Sequence, residues 1–284
     1  MTFMQRVCEA AQARQARVVF PEAENDRIAA AMERLQAEEI CQPVTLGDVS
    51  EAQVEALIAA RGMKAERAQR LLTKPLYRAA AMVAAGEVDA MVAGADSPTR
   101  RVIEAAGMSI GLADGVDTPS SFFVMLFGDG REMVFADCAV NVAPDAGQLA
   151  DIARASARSC EILLGAARVA MLSFSTGTSG AGETVDRVRA AAELAGYTGP
   201  VQADAALNAG VAAKKGLASA GDANVLIFPS LDAGNISYKL CQELAGAQAL
   251  GPFLQGFRRP VCDLSRGASV DDIVAATAVT VAMA

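Results

Sequence analysis

The sequence predicts an α/β protein in which buried strands alternate with helices. Short apolar runs such as 168–173 and 224–229 end in glycine, proline or polar loops, and stretches with helical periodicity separate them. Aromatic residues make up 5% of the chain and tryptophan is absent, so the core must consist of Ala, Val, Leu, Ile and Met. That composition is typical of strands covered by helices on both faces. The 284 residues suffice for one large domain or two smaller ones.

The first part of the chain follows this alternation. Pro75 is expected to kink or split a long helical stretch, because proline has no N–H to donate inside a helix. The predicted helices are 3–16, from the 22–27 loop to about 37, 50–61 and 64–85, with another opening in 96–101; the predicted strands are 16–21, 44–46 and 88–95.

The middle of the chain breaks the alternation. Two strand-like runs, 120–127 and 132–137, flank a Gly128-Asp-Gly130 turn and predict a β-hairpin. Consecutive strands without a helix mark the place where the chain enters a second domain or adds antiparallel strands. Beyond the hairpin we expect helices at 146–164, from 183 and from 236, strands at 168–173, from 201 and at 224–229, and a last apolar run at 251–256.

Charge and composition exclude several classes of protein. A net charge of −8 argues against a nucleic-acid partner, which normally faces a basic surface. The chain contains no histidine, which excludes a Ser-His-Asp triad, a histidine base and every histidine-containing metal site; no metal is predicted. Six cysteines without a C-x-x-C pair predict free thiols in a reducing compartment. Without an apolar signal core or a run of 18 apolar residues, we expect a soluble cytoplasmic protein with no membrane partner.

Polar loops follow several predicted strands, where open α/β sheets bind ligands. The loop 96–101 could hold a ligand or simply start a helix with solvated arginines. The glycine- and hydroxyl-rich loop 174–182 could present backbone N–H groups to an anion or serve as a flexible linker. A third polar loop lies at 230–235.

The most informative loop lies at 260–272. It offers the hydroxyl of Ser265, the guanidinium of Arg266 and the carboxylate of Asp272 at the start of a helix, whose dipole favours an anion. Ser269 and Asp272 have the spacing of a capping box. Taken alone, these residues could form a reactive site. They could equally be structural, with the box as a helix cap and Arg266 paired with Asp263.

Four segments resemble motifs of the phosphate acetyltransferases (phosphotransacetylases), and they occur in that family's order. The segments are 173–176 (Ser-Phe-Ser-Thr), 223–235, 251–256 and 263–267 (Asp-Leu-Ser-Arg-Gly). The resemblance implies two α/β domains of the isocitrate/isopropylmalate dehydrogenase type with an interdomain cleft. Domain I would comprise 1–112 and 253–284, domain II would comprise 113–252 with the hairpin insertion, and the protein would be a homodimer.

The resemblance also implies a reaction, the reversible transfer of an acetyl group between acetyl phosphate and coenzyme A. The thiolate would attack directly in a ternary complex, with coenzyme A as a substrate and no further cofactor. Asp272 would be the base, Arg266 would hold phosphate and stabilise charge on the carbonyl oxygen, and Ser265 would hydrogen-bond the phosphate or the thiol. The substrate-binding residues would be Ser175, Thr176, Ser179, Gly180, Asn235, Tyr238, Lys239 and Arg100. Tyr238 could instead only pack its ring on the core.

The chain departs from the family pattern in the residues expected to contact coenzyme A. Gly177-Thr-Ser-Gly180 stands where many members have Lys-Gly-Ser-Ala. In the 96–104 segment the arginine of the family is not matched in register, and only Arg100 or Arg101 could replace it. Two further functions therefore stay open: a non-catalytic module that senses acetyl-CoA, and an acyltransferase for propionyl or butyryl groups. A dehydrogenase is disfavoured, because we find neither an acidic metal cluster nor a nucleotide loop.

Overall fold

The computed structural model describes residues 1–217 and 220–284, and it confirms the α/β class. The chain divides into two compact units, unit 1 (1–115 with 251–284) and unit 2 (116–250). The predicted domain assignment, with boundaries at 112 and 253, stays a prediction.

Helices and strands alternate along most of the chain. Residues 1–115 contain α1 (Phe3–Arg14), β1 (Arg17–Val19), α2 (Asp26–Ala37), β2 (Gln42–Val44), α3 (Glu51–Arg61), α4 (Ala65–Leu72), α5 (Pro75–Ala84), β3 (Ala90–Ala93) and α6 (Thr99–Ser109). Next come β4 (Ser120–Leu126), β5 (Glu132–Ala136), α7 (Ala146–Leu164), β6 (Val169–Leu172), α8 (Glu183–Ala195), β7 (Thr198–Val201), α9 (Ala203–Leu207), α10 (Ala209–Lys214), β8 (Val225–Ile227) and α11 (Leu231–Ala245). The chain then passes along β9 (Gln248–Gln255) into β10 (Val261–Asp263) and α12 (Val270–Ala282).

The sheet of unit 1 has the strand order β2-β1-β3-β10-β9. The first four strands are parallel to one another, and β9 runs antiparallel to β10. Because β1, β3 and β10 are parallel, the loops that follow them leave the sheet at the same edge. This topology gathers residues that are far apart in sequence.

Helix α12 is apolar nearly all round, as expected for a helix buried in the protein. Its buried threonines satisfy their hydroxyls within the helix. Thr277 donates to the carbonyl of Ile273 at 2.8 Å, and Thr280 donates to that of Ala276 at 2.7 Å. The start of α12 is therefore held on a well-packed element.

The sheet of unit 2 has the order β4-β5-β8-β6-β7. Strands β4 and β5 pair antiparallel from Phe122–Ala136 to Leu126–Glu132, so the predicted hairpin is confirmed. Strands β5, β8, β6 and β7 are parallel. Phe123, Phe135 and Phe228 contribute to the buried core of this unit.

Two strand predictions were wrong for the same physical reason. The strand predicted from residue 201 ends there, since β7 covers Thr198–Val201 and α9 follows, and the strand predicted at 44–46 lies at Gln42–Val44. Both observed strands contain a proline, Pro200 and Pro43, which normally argues against a strand. Both strands are terminal in their sheet order, where a missing N–H breaks no ladder bond.

Two predicted helices have different bounds in the structure. Pro75 splits the helix predicted at 64–85, because α4 ends at Leu72 and Pro75 is the first residue of α5. The helix predicted from residue 236 begins earlier, at Leu231, because Ser230 is its N-cap and accepts a hydrogen bond from the N–H of Ala233. No helix within residues 1–217 and 220–284 is long and apolar enough to cross a membrane.

Candidate active site

The strand ends of unit 1 border a cavity of about 520 Å³. It collects residues from the loops after β3 and β10, as the parallel order of these strands requires. The lining residues are Gly94, Ser97, Pro98, Thr99, Pro252, Asp263, Leu264, Ser265 and Arg266. Two of the three predicted catalytic residues, Ser265 and Arg266, are among them.

Ser265 and Arg266 are exposed on the turn between β10 and α12. The turn is closed by a hydrogen bond from the N–H of Ala268 to the carbonyl of Ser265 at 3.0 Å. The alternative that Arg266 pairs with Asp263 was wrong, because one carboxylate oxygen of Asp263 accepts from Thr99 and the other has no partner among residues 1–217 and 220–284. In the described part of the chain the guanidinium of Arg266 forms no ion pair, so it is available to an anion.

Asp272 forms the predicted capping box with Ser269. The Oγ atom of Ser269 accepts from the N–H of Asp272 at 3.2 Å. The Oδ2 atom of Asp272 accepts from the N–H of Ser269 at 2.9 Å and from its hydroxyl at 2.8 Å. The Oδ1 atom of this exposed carboxylate has no protein partner among residues 1–217 and 220–284. Capping thus uses one oxygen, and the role of Asp272 as a base stays a prediction.

Arg100 is the second residue of α6 and is exposed. It follows Thr99, a cavity residue, but it does not line the cavity itself. Its neighbour Arg101 is bound to Glu104 at 3.0 Å. Of the two arginines considered for phosphate contacts, Arg100 is the one without an ion pair in the described part of the chain, and its substrate contact stays a prediction.

Asp263, which the sequence suggests only as an ion-pair partner of Arg266, lies in the cavity wall. Its side chain is 2% exposed, its Oδ2 atom accepts from the Thr99 hydroxyl at 2.5 Å, and its Oδ1 atom lacks a partner in the part of the chain that the structure describes. Burial raises the pKa of Asp263 from its ordinary value of 3.8 to about 6; the hydrogen bond from Thr99 lowers this pKa, and the negative charge of Glu22 raises it. The polar loops after β3 and β10 are the sequence signal for this site. The signal was insufficient because the sequence does not show that these two strands are neighbours in the sheet.

The raised pKa of Asp263 predicts a pH-dependent stability difference between the protein and an Asp263→Asn variant. Below about pH 4 the carboxyl is protonated in both the folded and the unfolded state, so it has no effect on the pH dependence. Between about pH 4 and pH 6 the unfolded state has released this proton while the folded state still holds it, so the free energy of unfolding falls by about 3 kcal/mol over this range; above about pH 6 the folded state ionises too and the loss levels off. Asparagine cannot ionise and can still accept from Thr99.

Urea unfolding at pH 4.5 and pH 7.5 measures this difference. We compare the free energy of unfolding of Asp263→Asn with that of the unsubstituted protein at each pH. From pH 4.5 to pH 7.5 this difference should shift in favour of the variant by most of that roughly 3 kcal/mol. A difference that does not change with pH contradicts the raised pKa.

In unit 2, the predicted residues of the 174–182 loop form a turn held by its own hydrogen bonds. The buried Oγ atom of Ser175 lies 3.2 Å from that of Ser179, which also accepts from the N–H of Thr176 at 3.0 Å. The Thr176 hydroxyl donates to the side-chain oxygen of Gln202 at 3.1 Å. Gly180 packs against this turn, where a Cβ atom would lie 3.1 Å from the Oγ of Ser175. These contacts argue against a flexible linker.

Asn235, Tyr238 and Lys239 lie within α11, so the expectation that Asn235 belongs to a loop was wrong. The helix starts early because Ser230 caps it. The Nδ2 atom of Asn235 donates to the carbonyl of Cys138 at 3.1 Å, and the Tyr238 ring stacks on Phe123 with 4.3 Å between centroids. These contacts favour the packing role of Tyr238, whereas the side chain of Lys239 is exposed.

The possible metal ligands and the thiols of the chain can be located in the structure. Residues 1–217 and 220–284 contain no cluster of three or more Cys, Asp or Glu residues that could hold a metal ion. The six cysteines are free. Burial raises the pKa of Cys262, three residues before Ser265, to about 12, so this thiol is not a nucleophile near neutral pH.

Comparison with known proteins agrees with the motifs. The profile of the family described as phosphate acetyl/butaryl transferase matches residues 2–58 and 52–281. A phosphate acetyltransferase of Acetivibrio thermocellus is 37% identical over 100% of this chain and 98% of its own length; one of Paracoccus denitrificans is 40% identical over 98% of each. The crystal structure of a phosphotransacetylase from Streptococcus pyogenes superimposes with a TM-score of 0.93 at 34% identity, covering 99% of this chain and 97% of that one. The predicted dehydrogenase-like fold class is confirmed, and the chain belongs to the phosphate acetyl/butaryl transferase family.

Proposed function

We propose that this chain is a phosphate acetyltransferase, which interconverts acetyl-CoA plus phosphate with coenzyme A plus acetyl phosphate. The observation that carries the proposal is the Ser265-Arg266 turn, which presents to a cavity a hydroxyl and a guanidinium that has no ion pair among the described residues, in a chain of this family. The full-length relatives with this name support the same reaction.

The proposed mechanism is a direct acyl transfer. The Oδ1 atom of Asp272 takes the proton of the coenzyme A thiol, whose pKa near 8.5 leaves little thiolate at neutral pH. The sulfur then bonds to the carbonyl carbon of acetyl phosphate, and the carbon–oxygen bond to phosphate breaks. Arg266 stabilises the negative charge on the carbonyl oxygen and the departing phosphate, and Ser265 hydrogen-bonds the phosphate. Positioning and charge suffice for this transfer, so we propose no cofactor besides coenzyme A as substrate.

The substrate contacts of unit 2 are also a proposal. Ser175, Thr176, Ser179 and Gly180 form one ordered turn with hydroxyl and backbone groups, which suits a polar ligand. Lys239 is exposed on α11 and suits a phosphate group. Asn235 and Tyr238 are engaged with Cys138 and Phe123, so their first effect on substitution is expected on folding.

The test is the rise in thioester absorbance when purified protein meets coenzyme A and acetyl phosphate. Turnover with acetyl phosphate above that with propionyl or butyryl phosphate supports the acetyl preference. A faster rate with the longer acyl phosphates favours the alternative acyltransferase. Binding of acetyl-CoA without turnover on any of the three would assign the chain to the sensing modules.

We further propose a cytoplasmic homodimer that acts in acetate metabolism. Helix α11 supports the dimer, because Ile236, Leu240 and Leu244 are 56%, 51% and 81% exposed and follow one another at intervals of four residues. Such spacing places them on one face of the helix, and exposed apolar faces are typical of protein interfaces.

Leu240→Glu is expected to weaken the proposed dimer, because it places a charge in the centre of the apolar face. Sedimentation velocity should show twice the mass of the 29.2 kDa chain for the unsubstituted protein and the single mass for the variant. Leu194→Glu is the matched control, since Leu194 is 58% exposed but lies on α8. A single mass for the unsubstituted protein contradicts the dimer.

A further inference from the structure

The loop between β1 and α2, continued into the first turn of α2, contacts two of the chain segments that line the cavity, although the mechanism above does not use it. It leaves the sheet at the same edge as the loops after β3 and β10, because all three strands are parallel. Glu22 in this loop and Arg27 in the first turn of α2 form hydrogen bonds with the backbone of those loops.

Glu22 binds the segment that follows β3. Its Oε2 atom accepts from the N–H groups of Gly94 and Ala95 at 2.9 and 2.8 Å, and its Oε1 atom accepts from that of Ser97 at 2.8 Å. Three converging N–H groups form the kind of concavity that binds anions. Here the protein's own carboxylate fills it, so these N–H groups fix the cavity wall instead of binding substrate phosphate.

Arg27 binds the turn that carries Ser265 and Arg266. Its Nη1 atom donates to the carbonyl of Arg266 at 2.9 Å and to that of Ala268 at 2.7 Å. These carbonyls lie on either side of Gly267, whose missing side chain leaves the backbone free to adopt other conformations. One guanidinium nitrogen of Arg27 therefore restrains the turn on both sides of Gly267.

Asn25 adds a third contact from the same loop. Its side-chain oxygen caps α2 by accepting from the N–H of Arg27 at 3.0 Å, and its Nδ2 atom donates to Asp96 at 2.9 Å. The loop is thus fixed at the start of α2, and both charged residues are held in place.

Arg34 provides an internal comparison. It lies on α2 as well and forms ion pairs with Glu38 and with Asp271 in the first turn of α12. These side chains are largely exposed, and surface ion pairs contribute little to stability. Arg27 thus joins α2 to the turn with the reactive side chains, whereas Arg34 joins α2 to the start of α12.

We propose that Glu22 and Arg27 are positioning residues for acyl transfer: Arg27 fixes the Ser265-Arg266 turn and Glu22 fixes the Gly94–Ser97 wall opposite it. The inference rests on the proposed function. The expected loss of rate on replacing a positioning residue follows from how strongly the rate depends on geometry: a misplacement of the reacting groups by 1 Å lowers it about 100-fold.

The experiment compares Arg27→Met with Arg34→Met, two changes that remove the same charge from the same helix. We expect Arg27→Met to lower kcat about 30- to 100-fold with a smaller change in KM, and Arg34→Met to stay within about twofold. Arg27→Lys should recover part of kcat, because an ammonium can donate to both carbonyls. Glu22→Gln should also lower kcat, because the NH₂ group of glutamine is a donor and cannot accept the backbone N–H bond that a carboxylate oxygen of Glu22 accepts.

Hydrogen–deuterium exchange of residues 264–270 supplies a readout independent of turnover. We expect faster exchange in Arg27→Met than in Arg34→Met. Equal exchange and equal kcat in the two variants overturn the proposal. If the unsubstituted protein transfers no acyl group, the proposed function is wrong, and the exchange comparison alone decides whether Arg27 orders the turn.

Discussion

Replacement of Arg266 by glutamine is expected to lower kcat for acetyl-CoA formation by about 10²–10³-fold, the usual loss of a group that stabilises developing negative charge. The guanidinium is exposed in the cavity turn and has no ion pair in the described part of the chain, so its removal leaves no buried group unsatisfied. The thermal unfolding of Arg266→Gln should therefore match that of the unsubstituted protein.

Arg259→Gln is the control for this experiment. Arg259 is also exposed and lies in the segment before β10, so its substitution changes the net charge equally without touching the cavity. Loss of turnover in both variants would point to a general charge effect on substrate attraction. Full turnover in Arg266→Gln would remove Arg266 from the mechanism.

Asp272→Asn is expected to lower turnover at pH 7 by about 10²–10⁴-fold, the usual contribution of a general base. Asparagine can still accept the hydrogen bond from the N–H of Ser269, so the helix cap largely survives. The rate of the variant should rise about tenfold per pH unit up to about pH 8.5, because coenzyme A then ionises without help. The thioester absorbance assay between pH 6 and pH 9 measures both effects.

Ser269→Ala separates the cap from the base. It removes the hydroxyl that caps α12 and is expected to lower the free energy of unfolding by about 1 kcal/mol, while the Asp272 carboxylate stays. Turnover should fall far less than in Asp272→Asn. Equal losses in the two variants would mean that Asp272 acts only through the helix start.

The sequence predicted best where a pattern is local. The capping box of Ser269 and Asp272 spans four residues, and the hairpin at 120–137 is joined by a short glycine-containing turn, so both could be predicted without knowledge of the tertiary structure. The positions of β2 and β7 could not be predicted in this way, because proline normally argues against a strand and only the complete sheet order shows that these two strands are terminal.

The wall of the candidate site could not be predicted in the same way. Thr99 and Asp263 meet across 164 residues, and Glu22 reaches the backbone of Gly94 across 72 residues. These contacts exist because β1, β3 and β10 are neighbours, which no local spacing encodes. The sequence supplied the polar loops, and the strand order decides which of them meet.

The strand order of unit 1 has a consequence for synthesis on the ribosome. β10 inserts between β3 and β9, and α12 packs against α1 and α2, yet residues 251–284 are translated after the whole of unit 2. At cellular elongation rates, unit 2 occupies the ribosome for on the order of ten seconds. During that interval the nascent unit 1 exposes the free edge of β3, which a chaperone must shield or another chain can pair with. The Ser265-Arg266 turn thus forms only after unit 2 has been translated, so a chain cut short before it lacks the proposed acyltransferase centre.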